Sequence, residues 1–150
     1  ASRAIRTADF LLIRNFKPER LPMGVVYDEN ASARDLLQNH YLAYSDMDAS
    51  PTKVFLMTNR ESHSEYYDYA FAARPEFELY DLRNDPDQVN NVASSPEYAT
   101  RLEELTDRMM QILEETGDPR VIGDGKAFDR MPYVDPDYPA KEWSKKELKF

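Results

Sequence analysis

The chain has 150 residues, a hydrophobic content of 41% and a formal net charge of -9 at pH 7, which fits one soluble domain. The negative charge argues against nonspecific nucleic-acid binding, which requires a basic surface, and against docking on an anionic membrane. Because cysteine is absent, disulfides and thiolate chemistry are excluded.

The N-terminal residues predict two short strands. Ile5 lies in the first strand, the run FLLI at residues 10–13 forms the second, and the polar pair at residues 8–9 turns between them. Because this pattern begins without any lead-in, we expect the chain to be a piece of a longer protein. Residues 17–27 predict a loop.

Three helical segments are predicted in the next part of the chain. Ser32 and Asp35 have the spacing of a capping box, which predicts a short helix through Leu37. Residues 30–32 also form a glycosylation sequon, but helix capping is the favoured interpretation. Pro51 suits the first position of a second helix, and the aromatic run SEYYDYAF at residues 64–71 predicts a third.

A third strand and a long helix are predicted next. Residues 77–82 alternate between apolar and polar side chains, as in a strand. Ser95 is a suitable N-cap for the helix, Pro96 suits its first position and Gly117 ends it. The predicted apolar stripe of this helix consists of Tyr98, Leu102, Leu105, Met109 and Ile112.

The segment ELYDLRNDPDQVNNVA, residues 78–93, is rich in acidic and amide side chains. A calcium loop of the EF-hand type requires ligands at alternate positions followed by glycine. Counting from Asp81 places Pro86 where the glycine should be, and counting from Asp85 reaches Val89. Aspartate, asparagine and proline also build turns, so we predict a structural turn.

Other catalytic patterns are weaker still. His40 and His63 are far apart and belong to no HExxH helix, and no GxSxG serine is present. The segment GDGK at residues 123–126 lacks the spacing of a phosphate loop. An acid/base pair of carboxylates stays open because no spacing selects one.

One cluster predicts contact with a substrate. Lys53, Arg60 and His63 lie close in sequence to the aromatic run at residues 64–71. Cations can bind an anionic group while an aromatic ring stacks on a sugar. The alternative is that the aromatic side chains form core and the cations lie on the surface.

The stretch PEFELYDLRNDPDQVNNVASSPEYATRLEELTDRMMQILEETGDPR resembles the C-terminal segment of the sulfatase family. The likeness is closest to the branch of heparan N-sulfatase (N-sulfoglucosamine sulfohydrolase) and its bacterial relatives. The segments RAIRTADFLLIRNF, SPTKVFLMTNRE and YAFAARPEFELYDL fit the preceding part of that branch. The resemblance covers most of the chain from Arg3 to Arg120.

The resemblance implies an α+β fold, with a small antiparallel β-sheet packed by a long helix, as in the C-terminal subdomain of an alkaline-phosphatase-like sulfatase. We expect this domain at residues 1–120, followed by an extended Pro-rich C-terminal tail at 121–150. The family's calcium ion and its formylglycine, made in a C/S-x-P/A-x-R motif, are expected in the parent. We expect no serine of this chain to begin that motif, since Ser50 and Ser95, which precede prolines, both fail.

The expected function is therefore that of a non-catalytic C-terminal fragment. The parent would hydrolyse a sulfuric ester or an N-sulfate, with a saccharide as the expected substrate, in the periplasm, outside the cell or in a bacterial cytoplasm. The expected partner is the N-terminal catalytic domain of the same polypeptide, and self-association through an exposed face is a further expectation. The alternatives are a stand-alone module that binds an anionic saccharide and an independent hydrolase with a carboxylate pair.

Overall fold

The computed structural model describes residues 2–127, which divide into two units. Residues 2–18 and 74–127 form the first, here called the sheet unit, and residues 19–73 form the second, the helical unit. The chain thus leaves the sheet unit after its second strand and returns just before the third. The predicted division at residue 120 stays a prediction, since most of the proposed tail, residues 128–150, lies outside the described residues.

The sheet unit contains three antiparallel strands in the order β1-β2-β3. They are β1 at Ser2–Arg6, β2 at Phe10–Asn15 and β3 at Phe77–Asp81, close to the predicted positions. On the central strand, Leu12 lies opposite Leu79 of β3, and both side chains are fully buried. One face of the sheet therefore carries the core of this unit.

The helical unit contains α1 at Ala33–Gln38, α2 at Pro51–Thr58 and α3 at Ser64–Phe71. The predicted capping box is confirmed, because Ser32 Oγ accepts from the amide of Asp35 and the Asp35 carboxylate accepts from the amide of Ser32. The buried hydrophobic core of this unit consists of Leu36, Leu42, Ala43, Tyr44, Val54 and Phe71.

The long helix α4 spans Ala99–Glu115 and packs on the sheet through Leu105 and Met109. The predicted α+β fold, with a small antiparallel sheet and a long helix, is confirmed. The helix begins later than predicted: Ser95 and Pro96 open a short 3-10 turn, in which the Ser95 side chain makes no capping hydrogen bond. Gly117 follows the helix with φ of 69°, as expected of a residue that ends it. No helix within residues 2–127 has both the length and the apolar character needed to cross a membrane.

The predicted apolar stripe of α4 is wrong at its last position. Ile112 is 43% exposed, whereas Leu113 packs against the core of the sheet unit. Both residues flank the stripe on a helical projection, so spacing alone did not distinguish them.

This correction predicts unequal effects of two substitutions. We expect Leu113→Ala to lower the free energy of unfolding by about 1–3 kcal/mol, because apolar contacts with the core are lost. Ile112→Ala should change it by less than about 0.5 kcal/mol, as usual for surface positions. Urea denaturation of both variants measures the difference, and a larger loss for Ile112→Ala would contradict the packing described.

Candidate functional site

Lys53 lies in the first turn of α2 and is 1% exposed. Its ammonium donates hydrogen bonds to the backbone carbonyls of His40 at 3.3 Å, Tyr44 at 3.0 Å and Met47 at 2.7 Å. Because an ammonium has three donors, these bonds occupy its whole hydrogen-bonding capacity. Burial lowers the pKa of Lys53, and the charge of Asp48 partly opposes that shift. Lys53 therefore fastens the preceding segment to α2 and does not present its charge to solvent.

The other two predicted contact residues lie three positions apart, between α2 and the start of α3. Arg60 is exposed. His63 is partly buried, its Nδ1 lies 3.0 Å from Ser62 Oγ, and its ring packs edge-on against Phe55 with 5.0 Å between centroids. The structure therefore brings Arg60 and His63 into one turn and assigns Lys53 to the core. Their contact with a substrate stays a proposal.

The aromatic run of α3 divides between core and surface. Phe71 is fully buried and stacks on Tyr44, with ring centroids 4.3 Å apart and planes inclined by 14°. Tyr67 packs against the same core, whereas Tyr66 and Tyr69 are 60% and 46% exposed. The alternative of a purely structural aromatic cluster is thus right for Phe71 and Tyr67 but not for the two exposed tyrosines.

A groove of about 300 Å³ lies beside Arg60 in the helical unit. Its apolar lining includes Val26, Leu36 and Met57. Tyr67 also lines the groove, and its hydroxyl shares a hydrogen bond of 2.5 Å with the hydroxyl of Tyr44. Burial, reinforced by this bond, raises the pKa of Tyr44, and the nearby charge of Arg60 opposes the rise. The groove is therefore lined by apolar residues, by Arg60 and by Tyr67, whose hydroxyl is hydrogen-bonded to the buried Tyr44.

The acidic segment after β3 is organised around Asp81, which is 3% exposed. Its carboxylate accepts two hydrogen bonds of 2.8 Å from the Arg83 guanidinium, one of 3.0 Å from Asn84 and one of 3.2 Å from the Tyr98 hydroxyl. These bonds, led by those from Arg83, hold the pKa of Asp81 well below its usual range although burial acts in the opposite direction. Asp81 thus joins the turn after β3 to the segment that enters α4.

Two further side chains stabilise this bend by hydrogen bonds to the backbone. The Asp85 carboxylate accepts from the amides of Val89 at 3.1 Å and of the next residue at 2.9 Å. Asn91 lies alongside β3, where its Oδ1 accepts from the Leu79 amide at 2.9 Å and its Nδ2 donates to the Phe77 carbonyl at 3.2 Å. The prediction of a structural turn is confirmed. Within residues 2–127, no group of three His, Cys, Asp or Glu side chains is placed to hold a metal ion.

One serine does have the spacing of the sulfatase motif. The residues from Ser2 to Arg6 read S-R-A-I-R, which satisfies S-x-A-x-R, so the prediction that no serine begins the motif is wrong. These residues form β1, which pairs with β2 along its whole length. The Arg3 guanidinium binds the Asp118 carboxylate at 2.6 and 3.0 Å. The matching segment is thus occupied as a strand of the sheet, so the spacing does not by itself identify a formylglycine site.

A second groove, of about 410 Å³, lies in the sheet unit beside Phe10. The guanidinium carbons of Arg83 and Arg101 lie 4.9 and 5.3 Å from the centroid of the Phe10 ring. Arg83 is bound to Asp81, and Arg101 is bound to Glu104 at 2.7 Å. Both cations therefore have a neighbouring carboxylate, and no spacing in the sequence marks this cluster.

No protein-family model matches the chain. Over 132 residues it is 26% identical to an ulvan-active sulfatase from Formosa agariphila. The aligned region is 86% of this chain but 19% of that protein, so the chain spans about a fifth of the relative's length. Most of the chain is similar to part of a sulfatase.

This similarity supports the predicted relationship at the level of a sulfatase. The narrower resemblance to the heparan N-sulfatase branch stays a prediction. The same holds for the C-terminal location of the segment and for an alkaline-phosphatase-like parent. The activity and substrate of a complete protein containing this chain are therefore matters for proposal.

Proposed function

We propose that this chain is the non-catalytic C-terminal part of a sulfatase that acts on a sulfated saccharide. It braces the catalytic domain of the same polypeptide and contributes to the substrate entrance through the surface around Arg60 and His63. The observation that carries this proposal is the 26% identity of most of the chain to a segment making up 19% of an ulvan-active sulfatase.

The use of the conspicuous polar residues supports a bracing role. Asp81, Asp85 and Asn91 bind backbone and side-chain groups of the bend between β3 and α4. Lys53 is likewise occupied by backbone carbonyls. These side chains fix the shape of the chain, which is what a supporting domain requires of them.

The exposed apolar side chains favour a partner that covers the surface of the helical unit. Among the described residues, ten large apolar side chains are at least 37% exposed, and seven of these belong to the helical unit. These seven are Leu21, Val25, Tyr27, Leu37, Phe55, Tyr66 and Tyr69. Apolar surface of this kind is typical of protein contacts when it is contiguous. The proposed cover is the catalytic domain, and a second copy of the chain is the alternative.

The proposal is tested by separating the two parts of the parent. The complete protein, the protein lacking these residues and the present chain alone are each incubated with calcium and either an aryl sulfate or ulvan oligosaccharides. We expect the complete protein to release sulfate and the isolated chain to release none. The truncated protein should lose thermal stability and activity, because its apolar docking surface is uncovered.

Release of sulfate by the isolated chain above a buffer control would overturn the non-catalytic assignment. Unchanged stability and activity of the truncated protein would overturn the bracing role. Sedimentation of the isolated chain adds an independent measurement, since a second copy as the covering partner predicts a dimer.

A further inference from the structure

The groove beside Arg60 offers an unusual mixture of groups for its size. Its lining combines apolar residues with the acidic Asp28 and Glu29 and with Thr58, Arg60 and Tyr67. A volume of about 300 Å³ lies at the lower end of the range for small-molecule sites. The groove therefore suits one ring-sized ligand and not an extended chain.

Arg60 supplies the cation of the groove. Within residues 2–127, no carboxylate forms a salt bridge with Arg60 and no carbonyl accepts a hydrogen bond from it. Arg60 lines the groove together with Tyr67. A planar guanidinium with free donors binds carboxylate or sulfate oxygens in a defined geometry.

The remaining polar groups fit hydroxyls. One Asp28 oxygen accepts from the amide of Asn30, which leaves its second oxygen available, and Glu29 is exposed. Thr58 Oγ1 donates to the carbonyl of Val54 and accepts from the Asn59 side-chain amide at 3.1 Å, which leaves one lone pair for a ligand. In the Tyr44–Tyr67 pair either hydroxyl can be the donor, so Tyr67 can offer the ligand a donor or an acceptor.

Taken together, these groups lead us to propose that the groove binds one sugar residue carrying a single anionic group. Arg60 binds the anionic group, Asp28 and Glu29 accept hydrogen bonds from ring hydroxyls, and the apolar lining residues contact the ring. That the ligand is a sugar rests on the proposed sulfatase function. That the ligand carries an anionic group and hydroxyls is inferred from the residues that line the groove.

The charge of the helical unit disfavours a highly charged ligand at this place. Residues 19–73 contain four basic and nine acidic side chains. An unspecific polyanion would be repelled by such a surface, because binding of that kind needs a basic footprint. The anionic group is either a sulfate ester or a uronic carboxylate, since a guanidinium binds both.

The test is a titration of the full chain followed by amide chemical shifts. The probes are glucosamine 6-sulfate, glucuronic acid and glucose, each added to roughly 20 mM, a range that detects millimolar affinity. We expect the sulfated sugar, the uronic acid or both to shift amides at residues 26–31 and 57–60, and the anionic probe that binds identifies the group. Equal shifts with glucose, or no shifts with any probe, would overturn the proposal.

Arg60→Gln is the decisive variant, and Arg34→Gln in α1 is its matched control. Loss of a charge-assisted hydrogen bond should weaken binding of the anionic probe by roughly tenfold or more. The control variant should bind this probe as tightly as the unmodified chain does. Equal weakening in both variants would contradict a specific Arg60 contact. If no sugar binds while the truncated sulfatase is inactive and destabilised, the proposal that the groove binds a sugar is overturned and the bracing role is retained.

Discussion

Replacing Lys53 by methionine is expected to lower the free energy of unfolding by about 2–4 kcal/mol. Methionine keeps much of the length of the side chain but removes the ammonium that three backbone carbonyls share. The carbonyl of Tyr44 also accepts from the amide of Met47, so it keeps one partner, whereas the other two lose a charged donor. Urea denaturation of the purified chain at pH 7 measures the change.

The matched control for this substitution is Arg34→Met. Arg34 is exposed in α1, so its replacement should change the free energy of unfolding by less than about 0.5 kcal/mol. If Lys53→Met were as stable as the unmodified chain, the hydrogen bonds from the ammonium to the three carbonyls would not contribute to stability.

The strands and helices were predictable because neighbouring residues determine them. The Ser32 and Asp35 pair forms the capping box that its spacing indicates, and the alternation after residue 76 forms β3. Asp85 and Asn91 act within a few residues of their own positions or on the adjacent strand. A turn interpretation therefore followed from composition and needed no knowledge of the tertiary structure.

The environment of Lys53 was not predictable in the same way. Lysine is usually exposed, and this one is buried because carbonyls from a segment six to thirteen residues earlier converge on its ammonium. The groove beside Arg60 likewise combines residues from before α1, from α2 and from α3. Sequence spacing does not encode such convergence, so the cluster was recognised as basic and aromatic but was divided incorrectly between core and surface.

The second large effect is expected for Asp81→Asn, which should lower the melting temperature by roughly 5 °C or more. The new amide places an N–H donor among the donors of Arg83, Asn84 and Tyr98, which at present share a carboxylate. The turn after β3 would then lose its central acceptor. Thermal denaturation at pH 7 measures the shift, with Asp87→Asn as the control because Asp87 is exposed in the same bend.

The pH dependence of stability distinguishes the effect of the negative charge of Asp81 from the effect of the size and shape of its side chain. The folded pKa of Asp81 is held below its ordinary value, so the stabilisation is fully present above the unfolded pKa of about 3.9 and is lost as the pH falls towards the folded pKa. The difference in melting temperature between the parent chain and Asp81→Asn should therefore be largest above about pH 5 and should shrink below about pH 4. A difference that stays constant down to pH 3, or an equal loss in Asp87→Asn, would show that the ionised carboxylate does not organise this bend.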